Sequence, residues 1–378
     1  MKRTIIAALA AGGLAACGGG GSSGGSASTG TGSGGSTGGG TSAPPARTVT
    51  LMAAPGASAG SFTATGDVVN DTLAFINAQR AQVGLPALTF QSGVAQAAAN
   101  HSLWEQDNNV VGHFETAGQP GYTGVSPSDR VNQYFSTISV GEVTAGFSGA
   151  FTSSTEPIEA LFDAPFHRSI MLFDSVYAGP GIATTTTSSS QLSALTVDFA
   201  NYKQAVPDNA LVAWPYNGQT SVKTSWVANE SPNPMANAPS YIGQTVGYPV
   251  TLSGSDNAAF SNVAFVITSA AGANVPCEET DSSNNSDATR LAMCVPFSPL
   301  AANTTYAVKT TGTLTNTSLA ATTFSLSWSF TTGATTVVHE QVAPVPTTPR
   351  RIILNSSAQP FSPSAALALT QTKGGRRQ

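Results

Sequence analysis

The spacing of apolar residues changes once along this chain, from helical before about residue 205 to alternating after about residue 209. Before the change, Val94, Ala97, His101 and Trp104 fall on one face of a helix. After it, short alternating runs are separated by Pro, Gly and Asn, as in a β-sandwich. Helices followed by strands, in a chain of 378 residues, predict an α+β protein with two domains, at 48–206 and 208–334.

The individual elements follow from the same spacing. In the first domain it predicts helices over Asp67–Val83, from Ser92 to about Asn108, from Ser126 to Phe135 and from about Thr155, then a hairpin of Tyr177–Thr186 and Gln191–Tyr202. In the second domain it predicts strands at Val246–Leu252, Val263–Ile267, Tyr306–Thr311 and Phe324–Thr331.

The amino-terminal segment predicts export. Lys2 and Arg3 precede an apolar run, Ile5–Ala16, that is too short to span a bilayer of about 30 Å as a helix. Residues 1–16 therefore read as a signal peptide, and Leu14-Ala15-Ala16-Cys17 resembles the lipobox of bacterial lipoproteins. That resemblance implies cleavage before Cys17, acylation of Cys17 (with palmitate, for example) and a membrane as partner. Gly18 in place of aspartate favours the outer membrane or cell surface. The alternative is an ordinary signal peptide with a chance cysteine.

Two segments lack the large apolar side chains that a hydrophobic core requires. Residues 17–47 are almost entirely Gly, Ser and Thr, which predicts a flexible linker. Residues 335–378 are rich in Thr, Pro and Ser with a basic end, and we expect a disordered tail.

The charge of the chain bears on its binding partners, and its cysteine content bears on disulfide formation. Only 9% of residues are charged, and between residues 48 and 335 acids outnumber bases by 19 to seven, so no nucleic-acid partner is expected. If Cys17 carries lipid, Cys277 and Cys294 remain as an even pair, which predicts a disulfide in an exported protein. The alternative is two buried thiols.

Three of the four histidines, His101, His113 and His167, fall in the first domain together with Glu142, Glu156 and Glu159. Imidazoles with carboxylates can hold a divalent metal such as zinc or act as acid and base. His101 lies on an apolar helical face, which favours a hydrogen-bonded core histidine instead. No cofactor is certain from spacing alone, since no short His-x-x-x-His motif occurs.

The order of several segments resembles the CAP superfamily, also called SCP-like, of cysteine-rich secretory and pathogenesis-related proteins. The segments that carry the resemblance are Asn77-Ala78-Gln79-Arg80 with Gly84-Leu85, Ala97–Ser102, Gly112-His113-Phe114, Ser128–Val131, Gly141-Glu142-Val143, Ala164–Met171, Gly179-Pro180-Gly181 and Val197-Asp198-Phe199. In the second domain, Pro299–Tyr306 and Trp328–Gly333 resemble bacterial Ig-like domains.

The resemblance implies an α-β-α sandwich with a cleft of two histidines and two glutamates, followed by an all-β Ig-like sandwich. The cleft residues carried over are His113, Glu142 and His167, with Glu159 as the second glutamate and Glu156 as its alternative. Glu156 has a competing role in a capping box with Ser153. In the metal version of this site, His113 and His167 are the ligands.

Three functions are compatible with this sequence. The first is a lipid-anchored envelope protein whose cleft binds a metal, a lipid or a cell-wall fragment while the Ig-like domain positions it or contacts proteins. The second is an envelope hydrolase, peptidase-like, with Glu142 or Glu159 as general base. The third is a purely structural or adhesive role. The low charge and the tether favour the first, so an enzyme is the less favoured reading.

Overall fold

The computed structural model describes residues 47–185, 191–334 and 352–356, and these residues belong to one compact unit. The chain is a mixed α/β protein with several β-sheets and few helices. In the described part of the chain, the α-helices are α1 (Val68–Gln82), α2 (Ser92–Asn108), α3 (Pro127–Val131), α4 (Glu156–Asp163) and α5 (Pro165–Met171). Short 3-10 helices lie at Ala57–Ala59 and Pro239–Tyr241.

The strands are β1 (Thr50–Leu51), β2 (Thr89–Phe90), β3 (Val140–Ser148), β4 (Ser175–Ala183), β5 (Leu192–Tyr202), β6 (Ala210–Trp214), β7 (Gln219–Val222), β8 (Ser225–Val227), β9 (Glu230–Ser231), β10 (Thr245–Gly247), β11 (Val250–Ser253), β12 (Ala259–Ser269), β13 (Cys277–Thr280), β14 (Leu291–Pro296), β15 (Thr305–Asn316), β16 (Leu319–Thr332) and β17 (Ile352–Ser356).

These strands form four sheets. One has six strands in the order β2-β4-β5-β3-β17-β9, and the others have the orders β1-β6-β11-β14-β13, β12-β15-β16-β7 and β10-β8. In the six-stranded sheet β5 pairs antiparallel with both β3 and β4, so that Glu142 lies directly opposite Asp198.

Helices cover both faces of the six-stranded sheet. On one face α2 lies so close to β4 that a Cβ on Gly181 would stand 2.0 Å from the backbone nitrogen of Ala99. On the other face Ile76 of α1 and Ile158 of α4 share a core with Val143 of β3. The Gly-Pro-Gly segment of β4 is therefore required by the close approach of α2.

Capping residues in the sequence determine where these helices begin and end. Asp67 caps α1 by accepting a hydrogen bond from the Asn70 amide, and Gly84 ends it with a φ of +76°. Ser126 and Asp129 form a capping box at α3. These helices begin within a residue or two of the predicted positions.

In the second half of the described chain, the regular secondary structure consists of strands and one 3-10 turn. The predicted strands fall within β10 to β12, β15 and β16, and Tyr248 and Pro249 divide the run 246–252 between β10 and β11. Side chains of β15 alternate between exposed and buried along most of its length, as the predicted period requires. The five-stranded and four-stranded sheets share one apolar core, which contains Leu252 and Leu291 from the first and Phe260, Val308 and Phe330 from the second.

The predicted disulfide is confirmed. Cys277 of β13 and Cys294 of β14 are bonded across these paired strands, with their Cα atoms 5.5 Å apart.

Several elements were not predicted: β1 to β3, β6 to β9, β13 and β14, together with α5 as a helix of its own. β3 is the strand that carries Glu142, and α5 is a separate helix that follows α4 after Ala164. In addition, Ile352–Ser356, within the segment predicted as a disordered tail, forms β17, which pairs with β3. Its apolar Ile352, Ile353 and Leu354 suit a strand between two others.

The predicted signal peptide, Cys17 and nearly all of the linker lie outside the described residues, as does the rest of the predicted tail. Among the helices that are described, none is long and apolar enough to cross a membrane.

Candidate functional site

A buried polar cluster lies between the six-stranded sheet and the helices α2 and α3. Its members come from α2, the loop after it, α3, β3 and β5. They are His101, Glu105, His113, Glu115, Arg130, Glu142 and Asp198, and all of them are buried.

Glu142 stands at the centre of this cluster. One oxygen, Oε1, lies 2.8 Å from His113 Nδ1, and the other, Oε2, accepts a hydrogen bond from an Arg130 terminal nitrogen at 2.5 Å. Arg130 also donates to the carbonyl of His113 at 3.1 Å. The Arg130 side chain therefore fixes both the carboxylate and the backbone that carries the histidine.

His101 has partners on both ring nitrogens. Nδ1 lies 3.0 Å from a Glu115 oxygen and Nε2 lies 2.7 Å from the Gly112 carbonyl. Burial favours the neutral ring, but the charges of Glu142 and Glu105 outweigh it and raise the pKa of His101. A carbonyl can only accept, so His101 is a hydrogen-bonded core histidine that donates to Gly112, as its place on α2 predicts.

The four acids of the cluster divide into two pairs by their pKa values. For Glu142 burial opposes ionisation, yet Arg130 and His101 hold its pKa well below the usual range, and Glu115 is also lowered, by its hydrogen bond to His101. Burial raises the pKa of Glu105 and, together with the charge of Glu142, raises that of Asp198 well above normal. Arg130 and His101 supply the positive charge that faces these carboxyl groups.

Asp198 completes the arrangement around Glu142. Neither of its oxygens accepts a hydrogen bond, and its one side-chain partner is Glu142, the residue directly opposite on β3. Because Glu142 already accepts from His113 and Arg130, a hydrogen bond between the two carboxyl groups requires Asp198 as the donor, and the charge of Glu142 favours that protonated form.

His113 is left with one free ring nitrogen. Because ionised Glu142 can only accept, Nδ1 of His113 carries a proton, and in the neutral form of the ring Nε2 then presents its lone pair. Nε2 is buried and has no hydrogen-bond partner in the structure, although 8% of the residue is exposed. An imidazole oriented by a carboxylate through Nδ1, with Nε2 open, is the arrangement of a histidine that binds a metal or a ligand.

His167 is held elsewhere. Its Nδ1 lies 2.8 Å from an oxygen of Glu230, which also accepts from the Phe166 amide, and its Nε2 has no hydrogen-bond partner. Burial raises the pKa of Glu230. His167 lies on α5 and Glu230 on β9, so this buried pair joins α5 to the strand-rich half of the chain.

The two histidine–carboxylate pairs lie on opposite faces of the sheet. Leu354 of β17 is paired with Ala145 on one side and with Glu230 on the other, and directly paired residues share a face. Ala145 is three residues from Glu142, so its side chain projects from the opposite face. With strand spacings of about 4.8 Å and a rise of about 3.3 Å per residue, Glu142 and Glu230 are separated by roughly 14 Å between Cα atoms.

The glutamates of α4 do not join either pair. Glu159 lines a separate cavity with Lys223 and Trp214. Glu156 accepts a hydrogen bond from the Thr152 amide, and its own amide donates to Ser153 Oγ. The N-cap of α4 is Thr155, whose side chain makes no cap bond, so the predicted capping box of Glu156 with Ser153 does not form. Of the four predicted cleft residues, the structure brings His113 and Glu142 together and places His167 and Glu159 apart from them.

Sequence reasoning missed Glu105, Glu115, Asp198 and Glu230 as members of these networks. Glu105 follows His101 by one helical turn, and Asp198 lies between two buried apolar residues of β5, so each had a local signal. Glu230 had none, because its partner His167 is 63 residues away and in the other predicted domain.

No protein-family model matches the chain, and no curated protein matches it in sequence. Among solved structures, an extracellular protein containing an SCP domain from Bacillus anthracis aligns at 20% identity and a TM-score of 0.28, over 35% of this chain and 40% of that one. The chain thus spans about two fifths of that protein's length. CopC from Methylosinus trichosporium OB3b aligns at 14% identity and a TM-score of 0.20, over 32% of this chain and 88% of that one. Both TM-scores are below 0.5, so neither alignment establishes a shared fold.

Proposed function

We propose that this chain is an exported envelope protein, anchored by lipid at Cys17, whose CAP-like domain binds a ligand through His113, with the Ig-like domain as a positioning or contact module. The observation that carries the proposal is the unpartnered Nε2 of His113, since Glu142 and Arg130 fix the orientation of that ring. The lipobox-like Leu14-Ala15-Ala16-Cys17 and the CAP-like segments support the location and the family.

Binding suits the site better than hydrolysis. A general base works best when its pKa lies near the working pH. Arg130 holds the pKa of Glu142 far below that range, so its carboxylate is a weak base. Its position suits it to orient His113, and Glu159 lies in another cavity.

A zinc ion is one ligand that the His113 site fits in part. A neutral imidazole whose other nitrogen donates to a carboxylate is a common zinc ligand. Yet among the described residues no three His, Cys, Asp or Glu side chains are placed to hold a metal together. An ion at His113 would therefore take its remaining ligands from water or from a bound molecule.

Calorimetric titration of the full chain carrying Cys17→Ser, purified without detergent, tests the proposal, first with zinc and then with peptidoglycan fragments and phospholipid vesicles. We expect His113→Ala to abolish binding, and Glu142→Gln to weaken zinc binding by about 10- to 100-fold, because it disturbs the ring's partner. His339→Ala is the matched control and should bind as the unchanged protein does.

Two outcomes would contradict the proposal. If neither zinc, peptidoglycan fragments nor vesicles bind, the site has no ligand of these classes. If a ligand binds equally well to His113→Ala, His113 is not the contact. Loss of zinc binding in His167→Ala as well would favour the two-histidine metal site predicted from the sequence.

A further inference from the structure

A cavity lies between helices of the first half of the chain and strands of the second half, and His113 does not line it. Its volume is about 170 Å³, and residues of α1, α4, β6 and β7 line it. A cavity of roughly 150 Å³ holds a benzene ring in an engineered protein. This cavity therefore has room for one six-membered ring.

The wall of the cavity is aromatic. Phe75, Phe162, Trp214 and Tyr248 line it, with Phe162 packed edge-on against Phe75 at 5.6 Å and against Trp214 at 4.9 Å between ring centroids. The Tyr248 hydroxyl is held by Trp214, which donates to it at 3.3 Å, and by Asp163, which accepts from it at 3.0 Å. These rings are fixed in place before any ligand arrives.

Polar side chains line the cavity together with these aromatic rings. Gln79, Glu159, Ser221 and Lys223 line the same cavity, and they supply an amide, a carboxylate, a hydroxyl and an ammonium group. Ser221 is exposed and the Lys223 side chain is 37% exposed, so the cavity opens to solvent on this side. These groups offer hydrogen-bond donors and acceptors to a polar ligand.

The charges at the cavity oppose an ionic ligand. Lys223 is paired with Asp163, and burial of Lys223 is outweighed by that carboxylate, which raises its pKa. Arg168 lies 5.4 Å from the centre of the Tyr248 ring and 6.0 Å from that of Phe162, while Glu159 is a second acid. Two cations and two acids balance, so neither an anion nor a quaternary ammonium group is favoured.

We infer that this cavity binds one ring of a neutral carbohydrate. A pyranose ring presents C–H faces to aromatic side chains and hydroxyl groups at its edge to amide, carboxylate and ammonium groups, which is the combination that lines the cavity. Since none of these residues belongs to the His113 cluster, carbohydrate binding here does not depend on the function proposed above.

Saturation-transfer NMR on the full chain with N-acetylglucosamine and methyl β-glucoside tests this inference. We expect binding with a dissociation constant on the order of 1 mM, as for other small ligands of this size. Glu159→Ala should weaken binding by about tenfold, through the loss of one charged hydrogen-bond partner. Gln79→Trp, which fills the cavity from α1, should abolish it.

Glu156→Ala is the matched control, because Glu156 lies one turn before Glu159 on α4, accepts from the Thr152 amide and does not line the cavity. It and His113→Ala should leave sugar binding unchanged. Thermal unfolding of each variant shows that it is folded. The inference is overturned if the folded protein binds neither sugar, if Gln79→Trp and Glu159→Ala bind as well as the unchanged protein, or if choline, glucuronate or cyclohexanol binds more tightly than both sugars.

Discussion

Asp198→Asn tests the protonation of the buried cluster directly. The pKa of Asp198 is raised well above its usual value of about 3.9 by burial and by the charge of Glu142. Between the pKa of the unfolded chain and the higher pKa of the folded protein, the carboxyl is therefore neutral in the folded protein and ionised in the unfolded chain, so folding takes up a proton. The stability that this group contributes is complete below pH 4 and is lost as the pH rises toward its folded-state pKa.

The size of the effect follows from linkage. One proton taken up on folding costs about 1.4 kcal/mol of stability for each pH unit above the unfolded pKa. Asparagine does not titrate, and its side-chain amide can still donate to Glu142. The free energy of unfolding of Asp198→Asn, relative to the unchanged protein, should therefore rise by about 1.4 kcal/mol per pH unit above the unfolded pKa, until the pH reaches the folded-state pKa of Asp198.

Urea unfolding followed by tryptophan fluorescence at pH 4, 5, 6 and 7 measures this difference. Asp198→Ala is the matched variant, because it removes the same titration but also the donor to Glu142. Its difference from the unchanged protein should have the same slope with pH, displaced by roughly 1–3 kcal/mol toward lower stability. A slope near zero for both variants would show that Asp198 is ionised in the folded protein, and the account of the cluster would then be wrong.

The other predictions concern packing, cross-linking and anchoring. Gly181→Ala should destabilise the fold by about 3 kcal/mol or more, because its Cβ would stand 2.0 Å from the α2 backbone. Gly118→Ala, where a Cβ meets nothing within 4 Å, should cost only about 1–2 kcal/mol of backbone strain. Equal losses in thermal unfolding would argue against the close approach of α2. Replacing Cys277 and Cys294 together by serine should cost about 3 kcal/mol in urea unfolding, as expected for a sequence separation of 17, and an unchanged midpoint would mean that the bond contributes nothing. Cys17→Ser should abolish incorporation of labelled palmitate and release the protein from the membrane fraction, and palmitate incorporation that persists would place the acyl chain elsewhere.

Local signals in the sequence were sufficient for much of the fold. The apolar spacing and caps placed α1 and α2 closely, and alternation placed β5, β15 and β16. The disulfide followed from compartment and cysteine count. β3 escaped prediction because Glu142 and Thr144 put polar side chains on a face that is buried against α2, so its polarity does not reflect exposure.

The candidate site shows the limit of reasoning from local pattern. A histidine in a buried position needs a partner, and several carboxylates of the first half could supply one to His167. The structure supplies Glu230 instead, from a strand that reaches this sheet only because β17 lies between β3 and β9. That choice depends on a strand near the end of the chain pairing with one from its first half, which no short spacing records. It also means that mutation of His167 disturbs the joint between the two halves, so a loss of ligand binding in His167→Ala identifies a ligand contact only if the variant retains its unfolding midpoint.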